Sequence, residues 1–195
     1  MKISEHFYQR QNVVKIAQEL LGKMLFTNIQ GDVAGGIIVE TEAYSFKERG
    51  CHAYDNRKTE RNKVMFESGG ISYVYLCYGI HHLFNVVTNQ LGKADAVLIR
   101  ALEPVMGQDL MKARMKTSSL NRITSGPGKL TKALGINRSH NGKNLEGTEI
   151  WIEDMKLSIN PKNIISSPRI GIDYAGEDAM LPWRFTIRDN QWISK

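Results

Sequence analysis

Residues 38–44, Ile-Val-Glu-Thr-Glu-Ala-Tyr, place two acidic residues at the end of an apolar segment that is typical of a β-strand. Successive side chains of a strand point to opposite faces, so Glu40, Glu42 and Tyr44 share one face. The two carboxylates then lie about 6.5–7 Å apart along the backbone. A carboxylate next to an aromatic ring can activate water beside a flat substrate. A strand running out to solvent would carry the same residue types, so this segment alone favours that simpler interpretation.

The length and composition indicate an ordinary globular protein. A chain of 195 residues can bury one hydrophobic core, and we expect a single domain over residues 1–195. Hydrophobic residues make up 42% and charged residues 24% of the chain, which excludes a disordered or membrane-spanning protein. The N-terminal residues lack the apolar stretch of a signal peptide, and Cys51 and Cys77 lack CxxC spacing. Free thiols in a reducing compartment are therefore expected, which indicates a cytoplasmic protein.

The hydrophobic pattern predicts consecutive strands and separate helices rather than a regular alternation of the two. Pro104 is expected to end the strand at 96–102, because proline cannot donate a ladder hydrogen bond. The other predicted strands are residues 23–29, 36–44, 71–77, 83–89, 149–153, 169–174 and 184–188. This order indicates an α+β fold with a largely antiparallel sheet.

Three helices are predicted from apolar periodicity and end signals. The first covers residues 13–21 with Asn12 as its N-cap, and a second covers residues 106–116. A third is expected to begin with Ser125 as N-cap and to end at Gly135. These helices are expected to pack against the sheet.

Basic residues gather in two stretches of a chain whose net charge is +6. The first lies within the long polar segment 45–70, and segments of that length are often functional or disordered. Such clusters bind phosphate backbones, although a solvated helix face would also explain the second. The clusters are Arg57, Lys58, Arg61 and Lys63, and then Lys112, Arg114, Lys116 and Arg122.

Tyr78 stands at the predicted tip of a hairpin between residues 71–77 and 83–89. Tight turns favour small polar residues, so an exposed ring there requires a partner or a purpose. Insertion of the side chain into a base stack is one such purpose, and packing back onto the sheet is the alternative. Tyr75, on the strand before it, is expected either in the core or on a pocket wall.

Two polar side chains fall within apolar strands. Asn85 is expected to be a buried amide that requires hydrogen-bond partners. Arg100 is expected to be a buried guanidinium that requires an acidic partner, for which Glu40 and Glu42 are the candidates.

Metal, nucleotide and thiol chemistry are not indicated. The histidines show no spacing that suggests a shared ion, and no metal or cofactor is expected. Adjacent Cys51 and His52 would point apart, which argues against a nucleophilic pair. No Walker loop or GxGxxG segment is present in the sequence.

Many ordered blocks, spread over nearly the whole chain, resemble the alkyladenine (3-methyladenine) DNA glycosylases, which are distinct from the helix-hairpin-helix glycosylases. Shorter blocks near the C-terminus also fit this family, at residues 168–171, 175–177 and 182–185. The main blocks are residues 39–44 (Val-Glu-Thr-Glu-Ala-Tyr), 52–54 (His-Ala-Tyr), 59–62 (Thr-Glu-Arg-Asn), 65–66 (Met-Phe), 73–79 (Tyr-Val-Tyr-Leu-Cys-Tyr-Gly), 85–86 (Asn-Val), 98–104 (Leu-Ile-Arg-Ala-Leu-Glu-Pro) and 125–130 (Ser-Gly-Pro-Gly-Lys-Leu).

The resemblance implies a single compact domain with a curved, mostly antiparallel sheet and a role in base excision repair of alkylated or deaminated purines. Glu42 would orient and deprotonate the attacking water, and Arg100 would support both. A monofunctional hydrolase is implied, because no lysine occupies the position of a Schiff-base nucleophile. The protein would act as a monomer, without a membrane, in the cytoplasm or at a prokaryotic nucleoid.

The resemblance also assigns residues to the substrate, which would be double-stranded DNA containing damaged purines. Tyr44 and His52 would sandwich the flipped base, Tyr75 would close the pocket, and Asn85 would exclude normal guanine. Tyr78 would be the wedge that fills the vacated space in the duplex. The residues expected near phosphates are Arg57, Thr59 and Arg61.

Two alternatives have different requirements. A non-catalytic protein that binds damaged DNA would keep Tyr78 and the basic loop but would not require Glu42 beside Arg100. A small-molecule nucleosidase would not require an exposed tyrosine at a hairpin tip.

The sequence departs from the family pattern at two places. The segment between Tyr44 and His52 varies in such proteins, and Ile80 occupies a position that is commonly methionine.

Overall fold

Eight antiparallel strands form one sheet in the computed structural model, which describes residues 1–157 and 159–194. The strands are β1 (Met24–Ile29), β2 (Asp32–Tyr44), β3 (Ser72–Cys77), β4 (His81–Thr88), β5 (Asp95–Met106), β6 (Ile150–Glu153), β7 (Ile164–Ser167) and β8 (Arg184–Ile187). Their order is β3-β4-β5-β2-β1-β6, and β8 joins the second half of β2 and carries β7. The predicted α+β class with a mostly antiparallel sheet is confirmed.

Within the described ranges, four α-helices flank the sheet, and short 3-10 helices lie in the connections. In the second α-helix, Asn12 Oδ1 accepts the Lys15 N–H at 3.0 Å, as the predicted N-cap requires. The α-helices are α1 (Glu5–Tyr8), α2 (Val13–Leu20), α3 (Gln108–Met115) and α4 (Pro127–Leu134). The 3-10 helices are Tyr54–Asn56, Lys63–Phe66, Arg138–His140, Pro161–Asn163 and Asp173–Met180. No helix among the described residues is long and apolar enough to cross a bilayer.

Two apolar clusters cover different parts of the sheet. The larger cluster packs α2, α3 and α4 against the central strands. The smaller cluster lies under segment 45–70, where Cys51, Met65 and Phe66 pack against Tyr73 and the ends of β4 and β5. This second cluster holds segment 45–70 against the sheet, so that polar segment has a fixed path.

A β-bulge in the pairing of β2 with β5 places Arg100 beside the acidic residues. Glu40 pairs with Ala101 and Thr41 pairs with Ile99, so Arg100 is the extra residue between them. A bulge bends the strand locally and re-aims one side chain. On its other edge, this half of β2 pairs with β8, which brings Arg184 opposite Glu42.

The predicted end of a strand at Pro104 is wrong, because β5 continues to Met106. Pro104 pairs with Gly36 next to a register shift, where the ladder does not require an N–H donor. A Cβ on Gly36 would lie 2.5 Å from the Glu103 carbonyl oxygen, so only glycine permits this approach of the two strands. The second strand was also predicted too short, since β2 begins at Asp32 rather than at Gly36.

Two further predictions are wrong in detail. Ser125 does not cap α4: the N-cap is Gly126, and Pro127 occupies the first turn. Residues 169–174 do not form a strand, because the chain bends there and enters the 3-10 helix at Asp173–Met180. The strand β7 was not predicted, since its four residues show no alternation of apolar and polar side chains.

Candidate active site

A cavity of about 710 Å³ opens between segment 45–70, the hairpin β3–β4, the N-terminus of α4 and the bend at 169–174. Its size suits one drug-sized or nucleotide-sized ligand. Aromatic and polar side chains line it, among them Tyr44, His52, Arg61, Tyr73, Tyr75, Tyr78, Asn85, Arg100, Ser125, Lys129, Ile170 and Tyr174. The sequence-predicted pocket residues Tyr44, His52, Tyr75 and Asn85 are therefore brought together.

Three rings form one wall of the cavity. The centroids of His52 and Tyr75 are 4.6 Å apart with the ring planes at 69°, and Tyr73 lies 5.3 Å from Tyr75. His52 Nδ1 and the Tyr73 hydroxyl are 3.0 Å apart, which fixes the orientation of the imidazole. The guanidinium of Arg61 covers the Tyr75 ring at 5.2 Å. These rings present aromatic surface to the cavity, which favours an aromatic ligand.

The position of His52 depends on Asn62, a buried amide that sequence reasoning did not single out. Asn62 Nδ2 donates to the carbonyl oxygens of His52 and Arg57 at 2.8 and 2.9 Å, and its Oδ1 accepts the Thr59 N–H at 2.7 Å. His52 keeps part of its surface exposed, but desolvation of the packed imidazole and the nearby Arg61 charge lower its pKa to about 4. The imidazole is therefore neutral near pH 7.

Glu42 is completely buried and accepts three hydrogen bonds from the described part of the chain. Its Oε1 accepts the Ile170 N–H at 2.8 Å, and its Oε2 accepts the Tyr44 hydroxyl at 2.7 Å and Arg100 Nη1 at 3.3 Å. Burial and the adjacent Glu42 raise the pKa of Tyr44 well above its ordinary value, which keeps that hydroxyl a donor. The carboxylate does not itself line the cavity. It lies behind Tyr44, Arg100 and Ile170, which do.

Glu40 holds Arg100 from the other side. Its Oε1 accepts Arg100 Nε at 2.9 Å, Arg184 Nε at 2.7 Å and the Ser194 hydroxyl at 2.7 Å, and its Oε2 accepts the Ser194 N–H at 2.7 Å. Burial alone would raise the pKa of Glu40, but the Arg100 charge and the hydrogen bonds from Ser194 and Arg184 outweigh it and lower that pKa. The predicted pairing of Arg100 with both carboxylates is confirmed.

Tyr78 stands at the mouth of the cavity with 88% of its surface exposed. Its φ is +50° and that of Gly79 is +72°, so two consecutive left-handed residues form the turn. Tyrosine rarely adopts this conformation, because its Cβ crowds the backbone. The alternative in which Tyr78 packs back onto the sheet is wrong.

Asn85 is buried in β4 with only its edge on the cavity. Its Nδ2 donates to the Tyr73 carbonyl at 3.1 Å, which supplies the hydrogen-bond partner that a buried amide requires. The side chain is therefore fixed in the same strand pair that carries the aromatic wall.

The basic residues divide between the cavity and other surfaces. Arg61 lines the cavity, whereas Arg57 and Thr59 are exposed on the same segment without lining it. Lys129, which the sequence did not single out, lines the cavity at the N-terminal end of α4. In the second cluster, Arg114 donates to the Ala133 carbonyl near the opposite end of α4. None of the second cluster's residues lines the cavity.

Several contributors to the site were missed because they lie far from it in sequence. Ser194 and Arg184 bind Glu40 across 154 and 144 residues. Arg169 forms a buried bidentate pair with Glu48, 121 residues away. The Ser125 hydroxyl is buried with no partner among the described residues and lines the cavity.

Comparison with known proteins identifies the family. The family model for methylpurine-DNA glycosylase matches residues 6–191. A relative from Chlamydia felis is 45% identical over 188 residues, which is 95% of each chain. A relative from Carboxydothermus hydrogenoformans is 44% identical over 195 residues, which is 100% of each chain. Both carry the provisional name 3-methyladenine DNA glycosylase. The chain therefore belongs to the methylpurine-DNA glycosylase family, which confirms the resemblance seen in its sequence blocks, and is a hydrolytic DNA glycosylase.

Proposed function

We propose that this glycosylase flips alkylated or deaminated purines out of duplex DNA and hydrolyses their N-glycosidic bond with a water activated by Glu42. The substrates would be of the 3-methyladenine, 7-methylguanine, hypoxanthine and ethenoadenine type. The names of the relatives support the first of these. One observation carries the proposal: Arg100 lines an aromatic cavity while it donates to a buried carboxylate.

Tyr78 is the wedge in this proposal. A purine inside a duplex cannot reach a cavity, so the protein must unstack it at a cost of about a few kcal/mol. The exposed ring at the cavity mouth would enter the stack and occupy the vacated space. The left-handed backbone of this turn holds the ring away from the sheet.

The flipped base would stack between Tyr44 and the wall formed by His52 and Tyr75. Alkylation at N3 or N7 makes a purine cationic, and a cation is attracted to the faces of electron-rich rings. A neutral His52 suits this role, since a protonated imidazole would repel the same base. Asn85, held by the Tyr73 carbonyl, would clash with the exocyclic amine of normal guanine.

Glu42 would activate the attacking water. The base leaves from a sugar with oxocarbenium character, and a nearby carboxylate can stabilise that charge and accept the proton of water. Oε1 of Glu42 accepts one protein hydrogen bond among the described residues, so a lone pair is left for a water molecule. Arg100 would hold that water at the cavity side of the carboxylate. The products would be a free base and an abasic site in an intact strand.

Phosphates of the flipped nucleotide and its neighbours would lie along the basic rim. Lys129 and the N–H groups of the first turn of α4 offer one contact on the cavity edge. Arg57, Thr59 and Arg61 offer another along segment 45–70. The protein would bind DNA as a monomer, since the cavity, the carboxylate behind its wall and the basic segment beside it all belong to one chain.

The test is release of free base from a duplex that carries one ethenoadenine, hypoxanthine or methylated purine. Glu42→Gln preserves the shape of the side chain but removes the base, so we expect release to be lost while lesion-duplex affinity stays within about threefold. Equal turnover by the variant would refute the role of Glu42. Tight lesion binding by the wild-type protein without release of any of these bases would instead favour the non-catalytic alternative.

A further inference from the structure

Arg169 is a buried arginine behind the cavity wall, in a position to which the proposed mechanism assigns no role. Its Nη1 and Nη2 donate to the two oxygens of Glu48, each at 2.7 Å, and its side chain has 0% exposure. Nη1 also donates to the Ala43 carbonyl at 2.9 Å, and Nη2 to the Asp178 carbonyl at 3.0 Å. The bidentate geometry fixes the plane of the guanidinium.

That plane lies against the ring of Tyr44. The Cζ atom of Arg169 is 4.7 Å from the centroid of Tyr44 and 5.3 Å from that of Trp183. Tyr44 lines the cavity and Arg169 does not, so the guanidinium covers the ring on the side away from the cavity. The opposite face of the ring is left to a stacking ligand.

The residue that follows, Ile170, donates its N–H to Glu42 Oε1 at 2.8 Å. The dipeptide Arg169-Ile170 therefore contacts three consecutive residues of β2: the carboxylate of Glu42, the carbonyl of Ala43 and the ring of Tyr44. Two of these three bear the proposed chemistry. Glu48, the partner of Arg169, is itself held in place, because it also accepts the Gly50 N–H at 2.7 Å.

We propose that Arg169 is a positioning residue, which rests on the proposed function: paired with Glu48, it fixes the Tyr44 ring and the Glu42 carboxylate relative to each other. A buried ion pair is a weak source of stability, because desolvation offsets much of the attraction. The ion pair instead fixes geometry. The planar guanidinium of Arg169 contacts two carboxylate oxygens, two backbone carbonyls and two aromatic rings. A lysine at this position could not donate two parallel hydrogen bonds to one carboxylate and has no planar group to lie against the rings.

The experiment compares variants in single-turnover release from an ethenoadenine duplex at saturating protein, with the fluorescence of the lesion as the readout of capture. Arg169→Lys should lower the saturating rate by about 100-fold, the effect expected for a misplaced reacting group. It should also reduce the capture signal, whereas affinity for undamaged duplex stays within about twofold.

Two further variants separate positioning from folding. The double variant Glu48→Met/Arg169→Met replaces the ion pair by apolar groups and should still fold, with a lower unfolding temperature because the Gly50 N–H and the Ala43 and Asp178 carbonyls lose these partners. It should remain as slow as Arg169→Lys. Arg10→Met is the matched control, because Arg10 also binds a carboxylate, a carbonyl and a ring, namely Glu19, Phe7 and the Phe7 ring, away from the cavity. It should release base at the wild-type rate.

The outcomes distinguish failure of the positioning role of Arg169 from failure of the proposed function. A stable double variant with wild-type rate and capture would overturn the positioning role, and so would Arg169→Lys with a wild-type saturating rate. Failure of the wild-type protein itself to release a base would overturn the proposed function instead. If Arg169→Lys does not fold, the double variant alone decides the matter.

Discussion

Arg100 Nη1 lies 3.3 Å from Glu42 Oε2, so a cation that lines the cavity is bonded to a carboxylate that does not. Bulk water has no direct access to Glu42, whose side chain is completely buried. A catalytic water would therefore reach the carboxylate only through the wall that Arg100, Tyr44 and Ile170 share. In the proposed mechanism the position of Arg100 would decide whether that route is open, and Glu40 holds Arg100 through its Nε at 2.9 Å.

Glu40→Gln tests this dependence. The neutral amide cannot replace the anion to which Arg100, Arg184 and Ser194 donate, so the buried Arg100 and the partly buried Arg184 lose their shared negative charge. We expect the free energy of unfolding at pH 7 to fall by about 3 kcal/mol. Single-turnover base release should fall by about tenfold as Arg100 shifts, with about 1.4 kcal/mol of transition-state stabilisation lost. Urea unfolding and base-release kinetics measure the two effects.

The pH dependence of stability provides the internal check on that variant. The pKa of Glu40 is below its ordinary 4.5, because Arg100 and the Ser194 and Arg184 hydrogen bonds outweigh burial. A depressed carboxyl pKa contributes stability above pH 4.5 that is lost as the pH falls through the folded-state value. The stability gap between wild type and Glu40→Gln should therefore narrow below pH 4.5. A constant gap down to acid pH would contradict this account of Glu40.

Tyr44→Phe separates stacking from the contact with Glu42. The ring remains, but the 2.7 Å hydrogen bond to the carboxylate is lost. A hydrogen bond to a charged group contributes about 1.5–3 kcal/mol, so we expect base release to slow by about tenfold or more. Capture of the lesion, followed by ethenoadenine fluorescence, should be unchanged. If capture and release fall equally, the Tyr44 hydroxyl serves only to position the Tyr44 ring for stacking.

Tyr8→Phe is the matched control for loss of a buried hydroxyl. The Tyr8 hydroxyl has no hydrogen-bond partner among the described residues, and the ring is fully buried in the larger core. Removing the Tyr8 hydroxyl therefore breaks no hydrogen bond and relieves the cost of burying an unsatisfied polar group. Stability and base release should therefore equal or exceed those of the wild-type protein.

The parts of the site that the sequence predicted are those set by local geometry. A two-residue period was enough to put Glu40, Glu42 and Tyr44 on one face of β2, and burial was enough to require a carboxylate for Arg100. The position of Tyr78 followed from the length of a hairpin turn. Each of these depends on residues within one strand or one turn.

The parts that were missed depend on contacts between distant segments. Glu48 and Arg169 are unremarkable in sequence, and only the folded chain brings them together across 121 residues. The strand continues through Pro104, which pairs with Gly36 next to a register shift between β2 and β5, and no pattern within β5 reveals that shift. The burial of Glu42 behind Arg100 likewise results from the path of residues 169–174, which were predicted to be a strand.

His52 should titrate far below an ordinary histidine. Burial and the charge of Arg61 lower its pKa to about 4, so the imidazole stays neutral from pH 5 to pH 8. An NMR titration of the ring protons should give a midpoint near 4. Arg61→Gln removes the like charge and should raise that midpoint, while the burial contribution remains. A midpoint near 6.5 in the wild-type protein would mean that the packing against Tyr75 and the charge of Arg61 do not lower the pKa of His52.

Tyr78→Ala should slow release from duplex DNA far more than release from a single strand. In a duplex the base must be unstacked at a cost of about a few kcal/mol, and the ring at the hairpin tip would repay part of that cost. We expect about a tenfold or larger loss for a paired lesion and little change for an unpaired one. The salt dependence of DNA binding should not change, because tyrosine carries no charge that would displace counterions. Release kinetics on the two substrates, with a salt series of binding constants, measure these effects.

Ile80→Ala is the matched control for the wedge. Ile80 is 72% exposed in the same turn, two residues after Tyr78, and does not line the cavity. Its loss removes a comparable apolar surface without removing the ring, so both substrates should react at the wild-type rate. If Ile80→Ala and Tyr78→Ala slow duplex release equally, the turn acts through its apolar surface and no wedge is required. If Tyr78→Ala slows both substrates equally, the ring belongs to the pocket, because the unstacking cost is absent from the single strand.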